Sequence, residues 1–439
     1  MSTNMISTTT ETLRVESLLA RRAKTIGRYS PTFYDLPLEI VAGDGVWLTA
    51  ADGTRYLDAY NNVPCVGHAN REVREAISAQ LELVNLHTRY LNDRVVEYAE
   101  RLLDTFRGRL QRIFFTNSGS ESNELALRIA NQHTGATGLI VTDWSYHGNT
   151  TSLAVATTAL EFREPLGDHV RPVHVPDATG AEPADVKRLL SAGLAEVDAA
   201  ISSLIAAGHG VSAALFDPLF STEGLVQPPA GYVEGLCERV HAAGGLVIAD
   251  EVQSGFGRVG AVMWGHEMFD IGPDLVTLGK PMGNGHPLGA VITTTALLDE
   301  FGSRNMYFNT FAGSPVSSVA GLAVLDVIRD KKLVESAHNL GLVISERLQQ
   351  ISLSPHIGSV RGRGLYFGVD FVTPDNRADT ATAKAVVEDM KSRGVLISRI
   401  GREGNVLKMR PPMVITRDEV DLLLDTLASS VSAIDDSDN

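Results

Sequence analysis

The apolar and polar positions of the chain change their period from region to region, and each change predicts a different element. Near the start, Gly45–Leu48 and Tyr56–Asp58 flank Asp52-Gly53, a pair that suits the positive backbone angles of a tight turn. This pattern predicts a β-hairpin. A helix is predicted further on, because one buried face accounts for the three-and-four spacing of Val95, Tyr98, Ala99, Leu102 and Phe106.

From about Arg112 to Thr294, short apolar segments alternate with helical ones. The predicted strands are Ile113–Thr116, Leu139–Thr142, Ala213–Asp217, Leu246–Asp250, Leu275–Leu278 and Ala290–Thr293. Several are apolar throughout, which is typical of strands that helices cover on both faces. We therefore expect an α/β fold whose large domain has a mostly parallel sheet.

The remainder of the chain predicts a smaller α+β domain. A long helix is predicted near Ser314–Arg329, before the pattern changes. The helices predicted after it are Val334–Gln349, Thr380–Arg393 and Thr416–Ala433, with Thr416 and Glu419 as a capping box. The predicted strands are Leu365–Phe371, Val395–Ser398 and Val406–Met409. We expect an N-terminal segment (1–67) that packs with the small domain, a large domain (68–322) and the small domain (323–439).

Composition narrows the possible partners. A net charge of -15 without a visible basic cluster argues against a nucleic-acid partner. Cys65 and Cys237 lack the spacing of metal ligands, so we expect buried apolar fillers in a reducing compartment and no metal. The first dozen residues lack the apolar core of a signal peptide, and no apolar run approaches the length of a membrane span. We therefore expect a cytoplasmic protein without a membrane partner.

Candidate chemistry lies where predicted strands end. The turn Asn117–Glu121 leads from a strand into a helix, whose free N–H groups suit a phosphate, although Ser118 and Glu121 also fit a simple capping box. Asp250 ends an apolar strand, where it could cap a helix, bind a metal or pair with the ring nitrogen of a cofactor. Lys280 follows the next apolar strand and enters a Gly/Pro-rich loop. It is either a surface charge or a lysine that forms an imine.

One cofactor accounts for these three positions together. A phosphate turn, a strand-end Asp and a strand-end Lys match the phosphate, the pyridinium nitrogen and the aldehyde of pyridoxal 5'-phosphate. The motifs resemble the class III aminotransferase family from about Arg28 to Leu427. They are Asn117-Ser-Gly-Ser-Glu-Ser-Asn-Glu124, Tyr146-His-Gly148, Asp250-Glu-Val-Gln-Ser-Gly-Phe-Gly-Arg258, Gly279-Lys-Pro-Met-Gly-Asn-Gly285 and Asn309-Thr-Phe-Ala-Gly-Ser-Pro315.

The resemblance implies a fold-type-I homodimer with active sites at the subunit interface. In it, Lys280 holds the cofactor as a Schiff base and Asp250 pairs with the ring nitrogen. The resemblance further implies cofactor contacts from Gly119 and Ser120 at the phosphate, Tyr146 and Val252 on the two ring faces, Gln253 near the phenolic oxygen and Thr310 at the other subunit's phosphate. Without the family, Tyr146 and Val252 would be ordinary core residues.

Other segments are similar to the ethanolamine-phosphate phospho-lyase branch, whose members eliminate phosphate from an amino alcohol phosphate. They are Asn61-Asn-Val-Pro-Cys-Val-Gly-His68, Thr88-Arg-Tyr-Leu91, Met282-Gly-Asn-Gly-His-Pro287, Tyr307-Phe-Asn-Thr-Phe311 and Asn405-Val-Leu-Lys-Met-Arg-Pro-Pro412. The candidates for binding the substrate phosphate are His68, Arg89, Lys408 and Arg410, each of which could instead form a surface ion pair.

A carboxylate clamp for an amino-acid substrate is not evident. Ornithine-type members of the family place an Arg where this chain has Lys408. Their partner Glu aligns with Thr222, although Glu223 could substitute, and Asp217-Pro218 stands where the family usually has Glu-Pro. Lys does not replace Arg at a bidentate carboxylate site. The missing clamp supports what the resemblance to the phospho-lyase branch implies, which is a lyase acting on O-phosphoethanolamine or a related compound and giving acetaldehyde, ammonia and phosphate.

Three alternatives remain. An ω-aminotransferase that passes an amino group from an amine or amino acid to a 2-oxo acid would use the same Lys280 and Asp250. A non-catalytic regulator that binds pyridoxal phosphate is disfavoured, because no separate DNA-binding module is visible. A dinucleotide-dependent oxidoreductase is disfavoured because no Gly-x-Gly-x-x-Gly follows an early strand.

Overall fold

The computed structural model describes residues 14–160 and 164–435, with side chains described through residue 434. The chain enters with helix α1 (14–22), which continues as a π-helical turn at Ala23–Gly27. Three antiparallel strands follow, β1 (Ile40–Asp44), β2 (Trp47–Ala50) and β3 (Arg55–Asp58). Gly53 adopts a φ of 89° in the turn between β2 and β3, which confirms the predicted hairpin.

The central sheet has seven strands: β4 (Arg112–Thr116), β5 (Leu139–Thr142), β6 (Val170–Val173), β7 (Ala213–Phe216), β8 (Leu246–Asp250), β9 (Leu275–Leu278) and β10 (Gly289–Thr293). Their order across the sheet is β4-β10-β9-β8-β7-β5-β6. Only β10 runs antiparallel to its neighbours, so the sheet is mostly parallel, as predicted. All six predicted strands are present. The edge strand β6 was not predicted, because Arg171 and Pro172 interrupt its apolar pattern.

Seven of the described helices precede, connect or follow the strands of this sheet in the chain. They are α2 (Arg71–Leu81), α3 (Asp93–Leu103), α4 (Gly119–Thr134), α5 (Thr151–Ala154), α6 (Pro183–Ala206), α7 (Tyr232–Ala242) and α8 (Thr295–Arg304). The face of α3 predicted to be buried does pack inward, since Tyr98 and Leu102 are fully buried. Helix α4 packs on β9 and β10, and this contact positions its N-terminus at the edge of the sheet.

Helix α6 corrects the expectation that no apolar run approaches the length of a membrane span. Its 24 residues are long and apolar enough, by length and composition alone, to cross a membrane. In the structure α6 packs against β6 and α7 and buries Gly193, Val197, Ala200 and Leu204. Glu196 and Asp198 interrupt the apolar residues of this segment in the sequence.

The C-terminal part contains helices α9 (Pro315–Asp330), α10 (Leu333–Ile351), α11 (Thr380–Ser392) and α12 (Arg417–Asp435). Its strands are β11 (Ile357–Arg363), β12 (Tyr366–Phe371), β13 (Val395–Leu396), β14 (Ser398–Ile400) and β15 (Val406–Met409). The α+β character is confirmed, and so is the capping box of α12: the Thr416 N–H donates to Glu419 Oε2 at 2.8 Å and the Glu419 N–H donates to Thr416 Oγ1 at 3.4 Å. Both cysteines are free and buried, as expected.

The prediction of one strand over Val395–Ser398 is wrong. The chain changes sheets at Ile397: β13 pairs in parallel with β3, whereas β14 pairs with β15 in the sheet ordered β11-β12-β15-β14. The four residues are apolar and β-branched enough to read as one element, but their hydrogen-bond partners differ. The pairing of β13 with β3 ties the N-terminal hairpin to the C-terminal part, while the domain boundaries themselves stay predictions.

We predict that Gly321→Ala destabilises the protein. A Cβ at Gly321 in α9 would overlap the fully buried ring of Tyr98 in α3. Overpacking of this kind costs on the order of 2 kcal/mol, which outweighs the roughly 1 kcal/mol that alanine gains in a helix. The control is Gly302→Ala in α8, where a Cβ meets no atom within 4 Å. Denaturant titrations should show a lower midpoint for Gly321→Ala alone, and equal midpoints would contradict this packing.

Candidate active site

The two residues proposed for catalysis meet at the carboxyl edge of the central sheet. Asp250 is the last residue of β8, and Lys280 begins a 3-10 turn just after β9. Because β8 and β9 are parallel neighbours, with Asp250 opposite Thr277, both side chains belong to the same edge. Ligands of such sheets bind beyond this edge.

Asp250 is buried and held by three donors. Its Oδ2 accepts from Asn123 Nδ2 at 2.9 Å and from His147 Nδ1 at 2.8 Å. Its Oδ1 accepts from the backbone N–H of Val252 at 3.0 Å. Thr277 Oγ1 donates to Asn123 Oδ1 at 2.6 Å and so fixes which way the Asn123 amide faces. The carboxylate is therefore rigidly aimed, as pairing with a pyridinium nitrogen requires.

The roles of Asn123 and His147 were not predicted, although both lie in the motifs that carried the family resemblance. Asn123 is a polar residue on the buried face of α4, and His147 is a buried residue that follows the exposed Tyr146 in a loop. A fully buried polar residue on an apolar helix face normally has a partner. That signal was available for Asn123, but its partner lies 127 residues away and is not visible from local pattern.

The predicted phosphate turn is close-packed against the strand ends. Gly119 begins α4, and a Cβ placed on it would lie 2.9 Å from Val252 Cγ2. A Cβ on Gly279 would likewise lie 2.9 Å from the Gly119 nitrogen. Ser118 caps the helix by accepting from the Glu121 N–H at 3.2 Å, whereas Glu121 Oε2 accepts from the Asn117 N–H at 2.8 Å. The cap is therefore confirmed, but the reciprocal bond of a full capping box is not formed between these two described residues. Ser120 Oγ accepts from the Asn149 N–H at 3.3 Å.

Lys280 is partly buried, and the pKa of its amine is lowered by burial and by the nearby positive charge of Arg410. A lowered pKa favours the neutral amine that imine formation needs. The residues on this edge fit pyridoxal phosphate. Three hydrogen-bond donors orient the Asp250 carboxylate. The N-terminus of α4, where Gly119 packs closely, suits a phosphate. Lys280 follows β9, the strand next to β8, at whose end Asp250 lies.

The remaining predicted cofactor contacts have different environments. Val252 is buried beside Gly119, and Tyr146 is 38% exposed with its pKa raised by partial burial. Gln253 Oε1 accepts from Asn62 Nδ2 at 3.0 Å and from Arg410 Nη1. Thr310 is exposed. Their cofactor roles stay predictions.

Lys408 lies in β15 and Arg410 directly follows this strand, and the two residues are only 7% and 4% exposed. Within residues 14–160 and 164–434, neither has a carboxylate oxygen within 4.0 Å. Burial lowers the pKa of Lys408 well below its usual range, and so do Arg410 and Lys280, while Asp217 acts in the opposite direction. These two candidates for binding the substrate phosphate thus form a buried pair of cationic side chains near Lys280.

The other two candidates already have partners within the chain. His68 Nε2 lies 2.7 Å from the buried carboxylate of Asp58. The guanidinium of Arg89 lies 3.9 Å from the ring centroid of Phe308, on an exposed surface. Their role in binding a substrate phosphate stays a prediction.

Glu223 does not substitute for the missing clamp. Its Oε1 accepts from Thr142 Oγ1 at 2.5 Å, and its Oε2 has no hydrogen-bond partner among the described residues. Burial, reinforced by Asp217, raises the pKa of Glu223 to about 8, so the group is mostly neutral at neutral pH. Burial also raises the pKa of Asp217 to about 6. Among the described residues Glu223 makes no ion pair with Lys408, so the expectation that Glu223 could substitute for the family's partner Glu is wrong.

The fold and the site together define an enzyme of fold type I that depends on pyridoxal phosphate. Residues 29–431 match the family model described as aminotransferase class-III. The chain belongs to this family, and the resemblance read from its motifs is confirmed.

Curated relatives carry both kinds of activity in their names. The chain is 38% identical over 432 residues to the alanine–glyoxylate aminotransferase 2-like protein of Drosophila melanogaster, covering 94% of this chain and 85% of the relative. It is 34% identical over 448 residues to ethanolamine-phosphate phospho-lyase homolog 1 of Caenorhabditis elegans, covering 95% of this chain and 94% of the relative.

Solved structures include a phospholyase from Arthrobacter in complex with phosphoethanolamine. It is 62% identical, with a TM-score of 0.94 over 95% of this chain and 99% of the other. A Bacillus anthracis aminotransferase is 27% identical, with a TM-score of 0.87 over 96% and 99% of the two chains.

We predict that Lys280 is the lysine bonded to the cofactor. Reduction of the yellow holoenzyme with borohydride, followed by proteolysis and peptide mapping, should place the label on Lys280. The neighbouring Lys408 is the natural internal control, since it is also buried with a lowered pKa. A label on Lys408 would overturn the assignment.

We predict that Asp250→Asn keeps the fold and binds the cofactor but loses most activity. An amide has nearly the same shape, yet it lacks the charge that keeps the ring nitrogen protonated. The loss should reach orders of magnitude in kcat, with an unchanged cofactor content by absorbance. Turnover near the wild-type rate would remove Asp250 from its proposed role.

Proposed function

We propose that this enzyme is a phospho-lyase that eliminates phosphate from O-phosphoethanolamine or a related amino alcohol phosphate. The observation that carries the proposal is the buried cationic pair Lys408 and Arg410, which has no carboxylate partner among the described residues. Buried charges are normally paired, because burial of an isolated charge is costly. An anionic substrate group supplies the missing partner.

The free donors of this pair suit a phosphate. Arg410 Nε donates to the Tyr60 carbonyl oxygen at 3.1 Å, and its Nη1 donates to Gln253. Arg410 Nη2 and Lys408 Nζ donate no hydrogen bond to any residue that the structure describes. Two nitrogen donors carrying positive charge can each bind a phosphate oxygen through a charge-assisted hydrogen bond.

The comparisons support the same substrate class. The solved phospholyase that is 62% identical to this chain is described as a complex with phosphoethanolamine, and a curated relative is named as a phospho-lyase homolog. Such identity over 95% of the chain makes a shared substrate class the simplest proposal.

The chemistry can be divided among the residues. Bound pyridoxal phosphate supplies an electron sink that stabilises negative charge on the carbon next to the substrate nitrogen. The Lys280 amine takes the proton from that carbon, and Asp250 keeps the ring nitrogen protonated. Lys408 and Arg410 hold the phosphate on the adjacent carbon and stabilise its charge as the carbon–oxygen bond breaks. With one water consumed, the products are acetaldehyde, ammonia and phosphate.

An ω-aminotransferase is the second candidate. Its support is the alanine–glyoxylate aminotransferase names among the relatives, together with the fact that Lys280 and Asp250 serve either reaction. A regulator without turnover has no comparable support, because the family is enzymatic.

We further propose a cytoplasmic homodimer. The support is the family resemblance, which assigns Thr310 to the other subunit's cofactor phosphate. The segment around Thr310 exposes large apolar side chains, with Met306 91% and Phe311 74% exposed, as expected of a surface that a second subunit covers.

We predict that the holoenzyme releases phosphate and acetaldehyde from O-phosphoethanolamine over many turnovers without any 2-oxo acid. In Lys408→Met the KM should rise about thirtyfold, since loss of a desolvated charge-assisted contact costs on the order of 2 kcal/mol. The control is Lys384→Met, whose side chain is exposed and pairs with Asp35. One equivalent of aminated cofactor, without free phosphate, would contradict the proposal and indicate an aminotransferase.

A further inference from the structure

We propose that Tyr60 is a positioning and specificity residue for the substrate phosphate. Its ring lies against both Lys408 and Arg410 in the place of a carboxylate counter-ion, and so leaves both positive charges available to the substrate. The inference rests on the proposed function and names a residue that the comparisons do not assign.

The geometry places both cations on one ring. Lys408 Nζ lies 5.4 Å and Arg410 Cζ lies 5.3 Å from the centroid of Tyr60. Both distances fall within the roughly 6 Å over which an aromatic face attracts a cation. Within the described residues, the Lys408 ammonium group makes no hydrogen bond and no ion pair, and it lies over the ring of Tyr60.

Tyr60 is itself fixed at both backbone and ring. Its N–H donates to Asp58 Oδ1 at 3.0 Å, and its carbonyl oxygen accepts from Arg410 Nε at 3.1 Å. Phe33 packs edge-on against the ring, with centroids 5.0 Å apart. Movement of Tyr60 would therefore move Arg410 as well. The Tyr60 ring therefore restricts the positions of the Lys408 ammonium and the Arg410 guanidinium.

The choice of a ring over a carboxylate has an electrostatic consequence. A carboxylate between Lys408 and Arg410 would stabilise both, but it would cancel one of the two charges. An aromatic ring attracts cations through its quadrupole and adds no net charge. The pair accordingly presents two positive charges, which matches a phosphate dianion better than a singly charged carboxylate. A ring in this position thus selects amino alcohol phosphates over amino acids.

The test measures binding of inorganic phosphate to the holoenzyme by calorimetry, because the cofactor then fills its own phosphate site. Tyr60→Leu removes the ring and should weaken phosphate about tenfold, as expected for loss of contacts worth a little over 1 kcal/mol. Tyr60→Phe keeps the ring and should restore affinity to within about twofold of the wild type. Phe269→Leu is the control, since it removes a partly buried ring that packs in a different apolar cluster, away from Tyr60.

A second readout separates positioning from general damage. Phosphate binding needs protonated Lys408, whose pKa is lowered, so affinity should fall as pH rises through that pKa. The charged and titratable groups around the pair are Lys280, Asp217, Arg258, Tyr60 and Tyr366. Without the ring, the ammonium is less stabilised, so the fall should begin at lower pH in Tyr60→Leu. Mere structural damage would weaken phosphate equally at every pH.

The outcomes keep the two proposals apart. Equal phosphate affinity in wild type and Tyr60→Leu would overturn the role of Tyr60, even if phosphate release from O-phosphoethanolamine continues. Equal losses in Tyr60→Leu and Tyr60→Phe would also overturn it, because they would assign the effect to the hydroxyl. Ring-dependent phosphate binding without any phosphate release would support the role of Tyr60 while the lyase proposal fails.

Discussion

The parallel pairing of β8 with β9 is the constraint on which the site depends. It sets Asp250 opposite Thr277, and Lys280 begins the turn three residues beyond Thr277 at the same edge. Thr277 also orients Asn123, which donates to Asp250, so one strand register determines both the position and the donors of the carboxylate. A slip by one residue would turn these side chains to the opposite face of the sheet.

The cluster of buried cationic side chains beside Lys280 lowers the stability of the fold. Lys408, Arg410 and Arg258 are nearly fully buried, and burial together with mutual repulsion lowers the pKa of Lys408 and brings that of Arg258 to about 10. Apolar side chains in these positions, or cations paired with carboxylates, would stabilise the fold better than these unpaired buried cations do. Violations of the rule that buried charges are paired concentrate at functional sites. The cluster is therefore better explained by a ligand than by folding.

Much of the fold could be predicted because its central strands are apolar throughout and short, with turn residues between them. The exceptions have local causes. β6 contains Arg171 and Pro172, β11 is rich in glycine and arginine, and the break at Ile397 changes hydrogen-bond partners without changing the apolar pattern. Lys280 and Asp250 could be named because strand ends mark the ligand-binding edge of a parallel sheet.

Other parts of the site could not be predicted, since they depend on partners distant in sequence. The bond of His68 to Asp58, the bond of Glu223 to Thr142 and the contact of Tyr60 with residues some 350 positions away follow from tertiary packing. Local sequence identifies such residues as polar or aromatic but does not say what they face. Their chemical roles emerge only when the N-terminal hairpin and β15 are brought together.

The difference between the two candidate reactions lies on the substrate side of the cofactor. Asp250 and Lys280 can support removal of a proton in either reaction. A planar carboxylate is matched by a forked guanidinium, whereas Lys408 is a point charge that suits a tetrahedral phosphate. Phosphate is also a leaving group, and a carboxylate held in the same place is not. In the proposed function, the charges of Lys408 and Arg410 bind the phosphate and also stabilise its departure, and recognition of this kind favours elimination over amino transfer.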